Sequence, residues 1–187
     1  MIETILAFVF AICFFAIEPL LRQGKAAKSL ERTASDKGSS TLIGVLFWIV
    51  IVLPHLLNFL QVGQIKSPGI RWLGLFIMLL GLALRFWSMR ILGEYYTRTL
   101  RVTDTQAIIS QGPYRIIRHP GYLGTIFVWI GFALAGGNWI ATIIMAMLLF
   151  GVYGYRIRLE ETMLLNRFGN EYQEYRKKTW RLIPFIF

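Results

Sequence analysis

Five apolar stretches, separated by polar ones, set the plan of the chain. They run over residues 2–21, 42–62, 71–92, 120–135 and 139–155. About 20 mostly apolar residues in helical conformation cross the hydrocarbon core of a bilayer. Each of the first three stretches therefore predicts a membrane-spanning helix. The last two are a little short for a straight crossing, and Gly136-Gly137-Asn138 between them predicts a tight helical hairpin. Glu3 and Glu18 lie near the ends of the first stretch, which lacks a basic leader and a small-residue cleavage site. It reads as a retained helix rather than a signal peptide. Pro54, His55 and Asn58 interrupt the second stretch; the proline predicts a kink, and the polar pair is expected to face protein, His55 through a helix–helix hydrogen bond. Gly74 and Gly81 lie two turns apart in the third and allow a neighbouring helix to approach closely.

The remainder is polar. Residues 22–40 form a basic Ser/Gly/Ala-rich loop, 63–69 a short turn and 93–111 a Tyr/Thr/Arg-rich connection. Residues 156–178 predict one charged amphipathic helix with Leu164, Leu165 and Phe168 along its apolar stripe. Residues 179–187, broken by Pro184, close the chain. The fold class is all-α: a polytopic integral membrane protein of five transmembrane helices, with a helix 4–5 hairpin and a cytosolic C-terminal amphipathic helix. Residues 1–70 hold the first two helices and the basic loop; residues 71–187 hold the remaining helices and the candidate chemistry.

Composition agrees. Of 187 residues, 56% are hydrophobic and only 16% charged, against about a quarter charged in ordinary soluble domains. Intrinsic disorder is excluded by that apolar content. The net charge of +10, from 20 basic and 10 acidic residues, would suit a nucleic-acid binder, but such a protein would not need the apolar runs. No nucleic-acid partner is expected. Position explains the charge better. If five helices alternate, the first loop, the third loop and the tail share one face, and all Lys and Arg residues but Lys66 and Arg71 fall there. By the positive-inside rule that face is cytoplasmic, with the N-terminus outside and the C-terminus inside. It would also attract anionic lipid head groups. The lone cysteine, Cys13, permits no internal disulfide or cysteine-based metal site and reads as a small buried hydrophobe.

Unusual polar residues concentrate on the same face. Arg85 lies about 10 Å inside the end of the third helix. A charge at that depth faces either a partner or a cavity; snorkelling, or an ion pair with Glu160 or Glu161, stands beside a functional role. The block Gln111 to Gly124 carries Gly112, Tyr114, Arg118, His119 and Tyr122. Pro120 suits the first turn of a helix and holds His119 outside it. Arg118 and His119 would stand at a helix N-terminus, where free N–H groups and the dipole favour an anion. The third group is Arg156, Arg158, Glu160 and Glu161, with Arg156 and Glu160 on one helical face; an ordinary ion pair at the membrane edge is the plain reading of it. No dinucleotide fingerprint, P-loop, zinc-protease motif or nucleophile elbow is present, and two histidines make no histidine-rich metal centre.

The block GPYRIIRHPGYLG, followed by EETMLLNRFGNEYQEYRKKTWRLIPFIF, resembles the isoprenylcysteine carboxyl methyltransferase family, integral membrane enzymes that use S-adenosylmethionine and release S-adenosylhomocysteine. The resemblance covers the last hundred residues, from Gly81 on, and includes an RHPxYxG element, the double glutamate, an FGxEYxxY run and a terminal proline. It implies a cofactor pocket built from Tyr96, Gly112, Tyr114, Arg118, His119, Tyr122, Glu160 and Glu161. It implies catalytic or substrate-positioning roles for Arg85, Arg156 and Glu160. One departure is visible: where the family's loop after the third helix often reads Asn-Phe-x-His, this chain has Tyr95-Tyr96-Thr97-Arg98. That bears on the substrate more than on the cofactor.

The expected activity is methyl transfer to a lipophilic acceptor entering from the bilayer, such as the carboxylate of a prenylated cysteine. Such a carboxylate is already ionised at neutral pH, so an orienting cation, Arg85 first and Arg156 second, would suffice. Three rivals stand beside it. One is a membrane sterol-type reductase using NADPH, whose C-terminal region is similar; another is a phospholipid amine methyltransferase; the last is a non-enzymatic membrane scaffold.

Overall fold

The computed structural model describes residues 2–21, 36–96, 100 and 107–185. Six α-helices account for most of them: α1 (Ile2–Leu21), α2 (Ser39–Phe59), α3 (Pro68–Leu92), α4 (Pro120–Ala135), α5 (Trp139–Phe168) and α6 (Asn170–Lys178). The first apolar stretch matches its helix. The second and third helices begin three residues earlier than their apolar stretches, because Ser39 and Pro68 are competent first-turn residues.

Four helices, α1, α2, α3 and α5, are long and apolar enough to cross a membrane. The chain is an integral membrane protein. Its outer surface is apolar: Ile12, Trp48, Phe59, Phe76 and Met147 are all more than half exposed, as lipid-facing side chains are. Cys13, expected to be buried, is exposed as well. It lies on the lipid-facing side of α1, where a small apolar side chain costs nothing.

The fourth helix differs from the rest. At 16 residues it measures about 24 Å, short of the roughly 30 Å core. Eleven of its residues are buried. It is the central post against which α1, α3 and α5 pack, and it needs little lipid contact of its own. Glycines set its crossing with α3. A Cβ built on Gly81 would lie 2.6 Å from the Gly124 carbonyl oxygen, and one on Gly131 would lie 2.6 Å from that of Gly74. The two-turn glycine spacing of α3 thus meets a matching spacing on α4, so the backbones touch. Aromatic rings fill the space beside this seam: Phe14, Phe47 and Phe132 each pack within 5.6 Å of Trp129.

Polar contacts tie each end of the bundle. At one end Arg71 of α3 donates to Thr4 Oγ1 (2.7 Å) and to the Ala135 carbonyl (3.2 Å). Asn58 donates to the Gly136 carbonyl at 2.7 Å. Asn138 accepts from the Ala141 amide at 2.9 Å and so caps α5 across the expected hairpin, with Gly137 at φ +82°. His55 differs from expectation: its buried Nε2 has no hydrogen-bond partner among the described residues, and the ring stacks on Phe8, ring centres 5.0 Å apart.

The tail also departs from the single amphipathic helix expected over 156–178. No glycine or proline separates Gly154 from Phe168, so α5 simply continues out of the membrane, reaching 30 residues in all, about 45 Å. It stops at Gly169, whose φ is +52°. Helix α6 follows, and the chain then returns to the start of α4: the Trp180 amide donates to the Ile116 carbonyl (2.9 Å) and the Arg118 amide to the Trp180 carbonyl (2.8 Å).

Candidate functional site

A cleft opens at the end of the bundle where α3 and α5 terminate and α4 begins. It encloses about 1210 Å³, counting the part open to solvent. Arg85, Tyr96, Tyr114, Arg118, His119, Tyr122 and Glu160 line it, and residues that the sequence did not assign to the site join them: Glu18, Ile43, Phe47, Tyr153, Tyr172 and Tyr175. Gly112, Arg156 and Glu161 stand behind this lining.

Arg85 is 6% exposed. Its Nη1 donates to the Thr125 hydroxyl and to the Gly121 carbonyl (3.3 Å), and its Nη2 donates to the Tyr96 hydroxyl (2.7 Å). The guanidinium lies over the Phe14 ring at 4.6 Å. Its ionic neighbour is Glu18 of α1, at 3.9 Å, and not Glu160 or Glu161. The Nε of Arg85 is buried and has no hydrogen-bond partner among the described residues. An always-charged donor left unpaired beside a cleft is suited to an incoming acceptor oxygen.

Glu160 lines the same cleft. Its Oε2 accepts from the Tyr122 hydroxyl at 2.6 Å, and His119 stacks on the Tyr122 ring at 5.6 Å. Arg156 Nε donates to the same Tyr122 oxygen at 3.0 Å. From there Arg156 reaches away from the cleft, to Ser39 Oγ (2.9 Å) and Asp36 Oδ1 (3.3 Å). Burial opposes ionisation of Asp36; hydrogen bonds from Ser40 and Ser39, with the charge of Arg156, overcome it and hold the carboxyl below its ordinary value.

Glu161 has a different task from its neighbour. It is 4% exposed. Arg118 reaches its Oε1 at 2.8 Å, Arg181 its Oε2 at 2.9 Å, and His119 Nε2 lies 3.4 Å from Oε1. Arg118 also donates to the carbonyls of Arg176 and Thr179. The buried carboxylate therefore clasps α5, the start of α4 and the returning tail together. This changes the expectation of an anion site at the α4 N-terminus. The amides of Arg118 and His119 are taken by the tail carbonyls of Trp180 and Arg181, and those of Tyr122 and Leu123 by the His119 carbonyl. The protein's own carboxylates sit at the positive end of that helix.

Gly112 acts through its backbone. At φ +54°, a Cβ there would run into the Ile91 side chain of α3, so glycine lets the loop lie flat against that helix. The tyrosines supply the cleft with rings and neutral hydroxyls. Burial pushes the Tyr114 and Tyr172 hydroxyls well up and that of Tyr175 up to about 12. All three stay protonated at physiological pH. The Tyr172 hydroxyl is buried and has no partner among the described residues. The departure at Arg98, with Thr97, lies outside the described residues.

Glu18 and Tyr153 were not read as site residues because neither belongs to a motif. A carboxylate one turn from the end of α1 was the only available signal for the first, and nothing local tied it to Arg85.

Fold and cleft together define a polytopic membrane protein with a polar, aromatic-walled site sunk into one end of its helix bundle. The sequence profile of the isoprenylcysteine carboxyl methyltransferase family matches residues 72–166, and the chain belongs to that family. A probable protein-S-isoprenylcysteine O-methyltransferase from Oryza sativa subsp. indica is 30% identical over 145 residues, covering 76% of each chain. The protein-S-isoprenylcysteine O-methyltransferase of Schizosaccharomyces pombe is 31% identical over 135 residues, covering 70% of this chain but 54% of that one. A solved structure of a eukaryotic intramembrane Ras methyltransferase of the same family superposes with a TM-score of 0.64 at 20% identity, over 91% of this chain. The present chain spans 59% of that chain's length. Membership in a methyltransferase family implies a methyl donor.

Proposed function

We propose that the chain is an integral membrane methyltransferase that moves a methyl group from S-adenosylmethionine to the carboxylate of a prenylated cysteine or a similar lipophilic acceptor. The observation that carries this reading is Arg85: a buried guanidinium with an unpaired Nε, lining a cleft that Glu160 also lines. Family membership favours it over the reductase, phospholipid-amine and scaffold readings.

The residues present fit the donor molecule. Glu160 suits its ammonium group, the tyrosine faces suit a cation and a heterocycle, and the buried Tyr172 hydroxyl offers an unused hydrogen bond. When bound, S-adenosylmethionine supplies an electrophilic methyl group on a sulfonium. Everything else falls to the chain. Arg85 holds and orients the acceptor carboxylate, which is ionised at neutral pH and needs no general base. Glu18 balances the Arg85 charge between turnovers. Ile43, Phe47, Leu92, Met163 and Leu164 line the same cleft; they exclude water and accept a hydrocarbon chain from the bilayer.

All five long apolar helices α1 to α5 cross the membrane in this reading, α4 shielded by its neighbours. The cleft faces the cytoplasm, because all but two of the 20 Lys and Arg residues belong to that side. The N-terminus is then outside and the C-terminus inside. Residues 71–187 carry most of the catalytic region, to which α1 and α2 add Glu18, Ile43 and Phe47.

The test is methyl transfer from labelled S-adenosylmethionine by the purified chain in lipid nanodiscs to three acceptors: a farnesylated cysteine, a phosphatidylethanolamine and a thiol. Label on the farnesylated cysteine, with calorimetric binding of S-adenosylhomocysteine but not NADPH, is expected. Label only on the lipid or the thiol, or binding of NADPH alone, would falsify the assignment.

A further inference from the structure

The cleft wall bearing Glu160 is fastened from behind by a chain of charges that reaches into the segment ahead of α2. Arg156 has only donors to offer. Its Nε donates to the Tyr122 oxygen at 3.0 Å, so the Tyr122 hydroxyl proton is directed onward to Glu160 Oε2 at 2.6 Å. On its other side Arg156 Nη1 donates to Ser39 Oγ (2.9 Å), Ser40 Oγ (3.2 Å) and Asp36 Oδ1 (3.3 Å). Asp36 in turn accepts from the Ser39 hydroxyl (3.0 Å), the Ser40 hydroxyl (2.7 Å) and the Ser40 amide (3.2 Å). Asp36 is 1% exposed and Arg156 is 3% exposed. Neither lines the cleft.

Burying two opposite charges away from the reaction is costly, and a partner removed leaves the other uncompensated. Without Asp36 the pull of Arg156 would shift along the same hydrogen-bonded chain toward Glu160, one hydroxyl away through Tyr122. The Glu160 carboxylate would then serve an arginine of its own chain instead of a cationic ligand.

We propose that Asp36 is a positioning residue for cofactor binding: through Arg156 and Tyr122 it keeps the Glu160 carboxylate turned to the cleft and available to the cofactor's ammonium group. The segment ahead of α2 thereby sets cofactor affinity without touching the cofactor. This rests on S-adenosylmethionine being the ligand of the cleft.

The experiment is a double-mutant cycle on the full chain in nanodiscs, with Kd for S-adenosylmethionine read by calorimetry and KM for both substrates read by turnover. Asp36→Asn is expected to raise the Kd about tenfold, the scale of a lost hydrogen bond to a charged group. The KM for the farnesylated acceptor should stay within about twofold, because the acceptor meets Arg85 and not Glu160. Asp36→Glu, which keeps the charge, should restore most of the affinity. Tyr122→Phe cuts the chain, so Asp36→Asn in that background should weaken binding no further. A merely structural Asp36 would give full additivity, and would raise both KM values alike. Either result overturns the proposal, as does a folded Asp36→Asn protein with the parent Kd. If that variant does not fold, Ser40→Ala removes a hydroxyl shared by Asp36 and Arg156 and should raise the Kd about threefold; an unchanged Kd overturns the proposal equally. Parent protein that binds no S-adenosylmethionine takes down the cofactor reading itself. Parent binding with additive variants takes down only the role of Asp36.

Discussion

Arg85 and Glu161 are both buried ionic groups, and their environments assign them opposite tasks. Arg85 keeps an unused donor, whereas Glu161 is bonded on both oxygens. Replacing Arg85 by Ala should lower kcat/KM for the acceptor at least about 100-fold, since orientation of the reacting group is lost. Binding of S-adenosylhomocysteine should change less than about threefold; methyl transfer that survives in Arg85→Ala would remove it from catalysis. Glu161→Gln should behave as a stability variant. It leaves Arg118 and Arg181 without their shared carboxylate, a loss of about 3–5 kcal/mol for a broken buried pair, visible as a lower midpoint in denaturant. Arg85 was legible in the sequence because a cation that deep inside an apolar run must face a partner or a cavity. The division of labour between Glu160 and Glu161 was not, because adjacent carboxylates are distinguished only by what lies across from them. Arg118 and Arg181 come from segments remote in sequence.

At the level of elements, the spacing of glycines and apolar residues carried most of the information. The four long helices and the hairpin at Gly136–Asn138 follow from local pattern, and so does the close approach along Gly74 and Gly81. What local pattern could not supply was the partner of that seam, or the unbroken run of α5 into the aqueous region. Amphipathicity marks where a helix leaves the membrane, but only a breaker ends it, and the breaker is Gly169. Two glycines therefore separate crowding from backbone strain. At Gly124 a Cβ would sit 2.7 Å from the Gly81 carbonyl oxygen and 2.9 Å from the Arg85 amide nitrogen. Gly124→Ala should force α3 and α4 apart, cost about 3 kcal/mol or more, and displace Arg85. Gly169 has nothing within 4 Å of an added Cβ. Gly169→Ala should cost only about 1–3 kcal/mol, from its φ alone. Equal losses in the two variants, measured by thermal unfolding in nanodiscs, would mean that the seam is looser than described.

For the whole molecule, an excess of positive charge on an apolar chain becomes intelligible once sides are assigned. The assignment predicts a labelling pattern. In a Cys13→Ser background, Lys66→Cys should react with a membrane-impermeant maleimide on intact vesicles of native orientation. Lys177→Cys, on a residue whose side chain is 69% exposed, should react only after permeabilisation. The reverse pattern would invert the molecule. Composition made the membrane class legible, and the charge distribution supplies the proposed sidedness. The site itself was legible only in its second half, because α1 and the segment ahead of α2 contribute single residues without a motif. One consequence concerns the order in which the protein is made. Residues 179–181 hold the loop ahead of α4 and clasp Glu161, yet they leave the ribosome after every bundle helix. A nascent chain halted before them would carry its helices inserted but its cleft unfastened. Methyl transfer should begin as a single late event in biosynthesis, not grow with each helix added.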